Sequence, residues 1–207
     1  MVTGRKLIET ALRAPMRERG WTPRASGWFT RATGPGALWV VAVGVASKCA
    51  APGTAMATAH VHFRDAELEA QVAGLCGWQD QGYRTTTGTT SIGYLMPDAC
   101  WHEWHVEPDT ADAVAHDVAQ AVQTYAEPYL RELAEDPRCL LASIVASPSY
   151  LIAHGLARAV VLLGREGQLG EASEFLGQRL AALASRTDAA AAEERRVADL
   201  LHGWLAR

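Results

Sequence analysis

The chain has 207 residues, of which 49% are hydrophobic, so it can bury a substantial core and wholesale disorder is excluded. Its 23 acidic and 19 basic residues give a net charge of −4. This balance argues against a nucleic-acid partner, because proteins that bind nucleic acids usually carry a concentrated basic face. It also contains no apolar run of the roughly 20 residues that span a bilayer, so we expect no membrane partner.

Cysteine usage indicates a reducing compartment. The four cysteines are Cys49, Cys76, Cys100 and Cys139, and no two of them form a C-x-x-C pair. Wide spacing of this kind is typical of reduced thiols, not of a disulfide framework or a structural zinc site. Near the N-terminus no apolar run is long enough for a signal peptide. We therefore expect a cytoplasmic protein.

The chain begins with a predicted helix and continues with predicted strands. Apolar residues at helical spacing open it, and Pro15 should bend or end that helix before Gly20. "GWFTRA" and "LWVVAVGVAS" are then predicted strands, separated by the turn-forming "TGPGA". "TAMATAHVHF" is the third strand. One face of the second strand is bulky and should be buried under helices; it carries Trp39, Val41, Val43 and Val45.

A short helix should follow the third strand, with Asp65 as its N-cap and Leu68 and Val72 at helical spacing. "TTTGTTSIGYLM" is predicted to be a fourth strand, because it is rich in β-branched residues. "CWHEWHVE" is predicted to be a fifth strand. Beyond it the period is helical, with Asp109 as a cap and a restart at Pro128.

The rest of the chain, beyond about Pro137, is predicted to be an all-helical tail of three helices. Two of them should be joined near residues 166–169. The leucines expected to be buried in this tail are Leu151, Leu162, Leu176, Leu180, Leu183 and Leu201.

These elements predict an α+β fold. It should have an N-terminal helix, a mostly antiparallel sheet of about five strands, helices packed on one face, and the helical tail. The sheet should be antiparallel because short turns join its first strands, whereas parallel pairs need longer crossovers. We predict two domains, a sheet domain at residues 1–136 and the tail at residues 137–207.

Scattered aromatic and apolar landmarks resemble a known family. They are "GW" at Gly20, "WFTR" at Trp28, "IGYLMP" at Ile92, "W-x-x-W" at Trp101 and Trp104, and "YAEPYLREL" at Tyr125. Together they resemble the uncharacterised bacterial family named domain of unknown function four-three-zero-four. The resemblance covers roughly the first 135 residues and implies a fold only. It carries no chemistry, and it leaves out the tail.

Two strands supply the residues that point to a site. Alternation places His60 and His62 of "HVH" on one side of the third strand, with Val61 and Phe63 on the other. In the fifth strand the same alternation puts Trp104 in the core. It leaves Trp101, Glu103 and His105 facing outward, beside the two histidines.

This outward group is the candidate ligand site, and it consists of His60, His62, Trp101, Glu103 and His105. Its imidazoles, His60, His62 and His105, are the residue type that binds zinc and related divalent metals. A metal is the minor alternative, because such matches without structural context are mostly false; the main expectation is no cofactor. The ordinary interpretation of the tryptophans is core packing.

Three classes of function stay open. The first is a binding, adaptor or accessory protein, of which an immunity-type factor is one form, that uses the sheet face or the helical tail to bind a protein or a small molecule. The second is a small enzyme, metal-assisted or not, with a His/Glu site on the sheet face. The third is a self-associating structural protein. The first is preferred, because it requires no catalytic constellation.

Overall fold

The computed structural model describes residues 3–46, 53–146 and 153–207. Its strands are β1 (Thr22–Pro23), β2 (Trp28–Gly34), β3 (Ala37–Ala46), β4 (Ala55–Asp65), β5 (Gly88–Ser91) and β6 (Trp104–Val106). Its helices are α1 (Gly4–Ala11), α2 (Arg13–Glu18), α3 (Ala66–Cys76), α4 (Ala111–Ala121), α5 (Glu127–Glu135), α6 (Pro137–Ala146), α7 (Ala153–Arg165), α8 (Leu169–Leu183) and α9 (Ala189–Leu205). The predicted α+β class is confirmed. Within these ranges no helix combines the length and apolar character needed to cross a bilayer.

The strands form one antiparallel sheet in the order β1-β2-β3-β4-β5, and β6 pairs with β4 beside this path. β2 and β3 form the predicted hairpin, in which Trp28 lies opposite Ala42 and Phe29 opposite Val41. β6 is antiparallel to the start of β4, with Trp104 opposite Ala57. β4 is therefore the strand that brings distant parts of the chain together.

The chain folds as two compact units. The first comprises Met1–Phe63 and Thr89–Glu132, and the second comprises Arg64–Gly88 and Leu133–Arg207. The predicted boundary at residue 136 lies close to Leu133, from which the rest of the chain belongs to the second unit. That unit also contains Arg64–Gly88, however, which the sequence pattern assigns to the sheet domain. The reason is that α3 packs on α7 and α9.

The core of the first unit lies on one face of the sheet. Trp39, Val41 and Val43 are buried there as predicted, whereas Val45 is only partly buried. α1 packs against this face so closely at Gly4 that a Cβ on this glycine would lie 2.9 Å from that of Ala55. The helix therefore needs a residue without a side chain at this point.

The third strand and its helix follow the sequence pattern closely. Alternate residues of β4, including Val61 and Phe63, are buried, while the residues between them are partly exposed. The carboxylate of Asp65 then accepts a hydrogen bond from the backbone N–H of Leu68 at 2.9 Å, which confirms the predicted N-cap of α3.

The fourth and fifth strands are much shorter than predicted. Only Gly88–Ser91 and Trp104–Val106 pair in the sheet; a 3₁₀ turn occupies Ile92–Leu95, and residues 100–103 are irregular. The cause is a close backbone approach at Gly93, where a Cβ would collide with the carbonyl oxygen of Cys100 and lie 2.7 Å from the amide nitrogen of His102. The two segments pack against each other there instead of continuing as strands.

The helical region after the sheet also differs from the prediction in two details. Thr110, not Asp109, is the N-cap of α4. The tail contains α6 in addition to the three predicted helices. Of the leucines predicted to be buried, four are buried and Leu180 is partly exposed, while Leu151 lies outside the described residues, as does Cys49.

Candidate functional site

β4 places His60 and His62 on the same face of the sheet, opposite the core, as its alternation predicts. On this face, β3 carries small residues. Ala42 lies opposite Trp28 of β2, and a Cβ on Gly44 would lie only 2.9 Å from Oγ1 of Thr58 on β4. Bulky rings from neighbouring strands can therefore lie over this part of the sheet.

Four rings form a continuous row on this face, and we call them the aromatic row: Trp28, His62, His60 and Trp101. The Trp28 and His62 rings stack with centroids 5.5 Å apart and planes at 21°. His62 lies 6.4 Å from His60, and His60 lies 5.7 Å from Trp101. Such offset and tilted arrangements are the favourable geometries of aromatic pairs. The row joins β2, β4 and the segment that precedes β6.

Trp101 completes the row from an irregular segment, not from a strand. Its indole N–H donates a hydrogen bond of 3.0 Å to Oε1 of Glu103, which fixes the ring relative to its own backbone. The close packing of Gly93 against the backbone of Cys100 and His102 also holds this segment in place. Trp101 and Glu103 are thus brought to His60 and His62, as the alternation predicts, although the backbone that carries them is not extended.

His105 is on the predicted face but away from the other candidates. It pairs with Met56 of β4, four residues before His60, which corresponds to about 13 Å along a strand. In the part of the chain that the structure describes, no three His, Cys, Asp or Glu residues are grouped so that they could hold a metal ion. The structure therefore brings together His60, His62, Trp101 and Glu103, without His105.

His62 is the electrostatically unusual member of the row. Both of its ring nitrogens are buried, and neither has a hydrogen-bond partner among the described residues. Burial, followed by the neighbouring His60, lowers the pKa of His62 to about 4. Burial also lowers the pKa of His60. Both rings are consequently neutral at pH 7, and the row behaves as an apolar aromatic surface.

His62→Phe should therefore be tolerated at pH 7 and should change the response to acid. The unfolded chain binds a proton to His62 below about pH 6.5 and the folded chain only near pH 4, so wild-type stability is full above pH 6.5 and falls as the pH drops through this window. Lowering the pH from 7 to 5 should therefore reduce the free energy of unfolding of the wild type by about 2 kcal/mol through this histidine. Urea denaturation at the two pH values measures the difference.

The control for this experiment is His105→Phe, which puts the same ring at an exposed position of the same face. It should change the free energy of unfolding at pH 7 by less than about 0.5 kcal/mol. A loss of more than about 1 kcal/mol in His62→Phe at pH 7 would show that the imidazole nitrogens make a contact that stabilises the fold.

The segment Ile92–Glu103 also exposes a second aromatic residue. Tyr94 is 54% exposed and Trp101 is 49% exposed. Between Thr89 and Leu130 the chain has seven acidic residues and no lysine or arginine. Three of them, Asp98, Glu103 and Glu107, are exposed in or next to the segment. The segment therefore carries two exposed aromatic residues, with exposed acidic residues in it or next to it in the chain.

Sequence reasoning missed Tyr94 and took Trp28 for an ordinary packing residue. Tyr94 was hidden because "IGYLM" has the composition of a buried strand, and only its position in a 3₁₀ turn exposes it. The glycine before it was the available signal, because a glycine inside a predicted strand often marks a bend or a close backbone approach.

Comparison of the chain with protein-family models, with curated proteins and with solved structures gives no match. The resemblance to the family of domain of unknown function four-three-zero-four therefore stays a prediction.

Proposed function

We propose that this protein is a binding protein that recognises a partner protein through the segment Ile92–Glu103 and the aromatic row behind it. One observation carries the proposal: Tyr94 and Trp101, both about half exposed, lie on this same segment of twelve residues. Tryptophan and tyrosine are the residues most enriched among those that dominate binding energy at protein interfaces.

The aromatic row supports this role by holding Trp101 in place. Its ring packs on His60, its N–H bonds to Glu103, and His60 packs on His62. A side chain that is already ordered loses little conformational freedom on binding, so more of its contact energy appears as affinity. Trp101 therefore has the properties of an anchor residue.

The exposed acidic residues define the chemistry of the partner. Asp98, Glu103 and Glu107 are exposed and lie in the same stretch of chain as the exposed rings, and Glu103 accepts a hydrogen bond from Trp101. A complementary surface offers an apolar pocket for an aromatic ring, with lysine or arginine side chains around it. The proposed partner is thus a protein with a basic rim around an apolar pocket.

Alanine substitution of both exposed rings tests the proposal. A partner retained by the immobilised wild-type chain is identified and purified, and its affinity is measured by calorimetry for the wild type and for Tyr94→Ala/Trp101→Ala. We expect the double variant to bind at least 10-fold more weakly, because anchor residues contribute about 2 kcal/mol or more. The complex should also weaken as salt rises.

The matched control is Val145→Ala/Leu169→Ala, which removes two apolar side chains that are 52% and 50% exposed in the second unit. It should bind like the wild type. Equal binding by the aromatic double variant and the wild type would contradict the proposal. Loss of binding only in the control variant would instead assign recognition to the helical tail.

A further inference from the structure

The second unit contains a cavity of about 400 Å³. One wall is the face of α3 that carries Val72 and Ala73, another is the loop that follows α3, and a third is the start of α7 with His154 and Arg158. Its volume lies within the range of small-molecule pockets, which is about 300–1,000 Å³.

The floor of the cavity is polar but its charges are compensated. The guanidinium of Arg158 donates two hydrogen bonds to the carboxylate of Glu69, at 2.7 and 2.8 Å, and both side chains are buried. Oγ1 of Thr87 donates a third, at 2.8 Å. On the rim, Asp80 accepts a hydrogen bond of 2.6 Å from Arg64. Arg84 also lines the cavity, but it is exposed and its guanidinium lies over the ring of Tyr83. The buried floor itself therefore offers a charged ligand no countercharge that is not already paired.

One wall of the cavity is flat and aromatic. The rings of Trp78 and His154 stack with centroids 3.7 Å apart and planes within 3°. Trp78 also hydrogen-bonds to Glu193 of α9. His154 is an exposed residue, but partial burial of its imidazole, followed by the charge of Arg158, lowers its pKa, so the ring is neutral at pH 7.

The remaining lining offers hydrogen-bonding groups on an ordered loop. The side-chain amides of Gln79 and Gln81 line the cavity and supply both donors and acceptors, whereas the Thr85 hydroxyl is engaged within the loop. Arg64 fixes this loop by donating to the carbonyl oxygen of Thr85 and to Asp80, both at 2.6 Å. The backbone N–H of Gln81 donates to Oγ1 of Thr85 at 2.8 Å.

We infer that this cavity is a binding site for an uncharged, planar nitrogen heterocycle of the purine type, free or as a nucleoside. The rings of Trp78 and His154 cover each other's inner faces, so a flat aromatic ligand would extend this stack from an outer face, because bases stack favourably on aromatic side chains. The side-chain amides of Gln79 and Gln81 match the donor and acceptor edges of such a ring. The compensated charges of the floor match its neutrality. The site is separate from the surface proposed for the partner protein.

Calorimetry and tryptophan fluorescence with adenosine and guanosine test the inference on the full chain, with ribose as a ligand that lacks the ring. We expect at least one nucleoside to bind with a micromolar to low-millimolar Kd, and ribose not to bind. His154→Ala and Trp78→Leu should each weaken binding at least 10-fold. Leu169→Ala, at an exposed position that does not line the cavity, should bind like the wild type.

His154 is exposed, so its substitution keeps the test valid even where Trp78→Leu fails to fold. The inference is overturned if adenosine at 5 mM and guanosine at its solubility limit both fail to bind, since 5 mM fills about 80% of sites with a Kd of about 1 mM. Wild-type affinity in His154→Ala would overturn it as well. Adenosine monophosphate binding 10-fold more tightly than adenosine would replace the uncharged class of ligand with an anion. None of these outcomes depends on the partner-protein surface.

Discussion

Arg158→Leu should destabilise the protein by about 3–5 kcal/mol, because it leaves the carboxylate of Glu69 buried without its guanidinium partner. The side chains of the pair are 4% and 1% exposed, so water cannot replace the lost bonds. For a chain of this size such a loss should lower Tm by roughly 10 °C or more. Urea and thermal denaturation measure it.

The double variant Glu69→Leu/Arg158→Leu separates the ion pair from the packing around it. Replacing both members of a buried pair by apolar residues of similar size is often neutral, because no uncompensated charge is left behind. We expect the double variant to recover most of the stability that Arg158→Leu loses. Equal stability of Arg158→Leu and the wild type would show that the Glu69 carboxylate is not confined as the structure describes.

In a chain truncated after Asp136, the part of the second unit that is kept should not fold. The segment Arg64–Gly88 would then lack α7 and α9, on which α3 packs. Leu68 and Val72, now fully buried, would be exposed, at about 1.5–3 kcal/mol each. Gel filtration and dye binding should reveal an aggregating chain with exposed apolar surface.

The same truncation carrying Leu68→Gln and Val72→Gln tests the cause. If exposure of this face of α3 drives aggregation, the polar version should be more soluble than the unmodified truncation. A truncated chain that is monomeric and unfolds cooperatively would contradict the division into these two units.

Local signals in the sequence predicted several elements accurately. The hairpin of β2 and β3 follows from two β-rich runs separated by "TGPG", and the start of α3 follows from the capping side chain of Asp65. The shared face of His60 and His62 follows from the two-residue period of a strand. In each case, neighbouring residues are sufficient to determine the structure.

Contacts between distant segments produced the differences. The predicted fourth and fifth strands are shortened because Gly93 lets two backbone segments meet, and strand propensity cannot report such an approach. α3 belongs with the tail because its buried carboxylate at Glu69 is matched by Arg158, 89 residues later. No periodicity in either segment indicates this pairing.

The sequence by itself determined the α+β class, the antiparallel hairpin, the cap of α3 and the outward face of β4, because these depend on turn residues and on alternation along one segment. Only the tertiary structure decided that Trp101 joins His60 while His105 does not, and that Trp78 meets His154 across 76 positions. The physical reason is that side-chain periodicity fixes which way a residue points on its own element. Which residues of other elements it meets depends on strand pairing and helix packing over the whole fold.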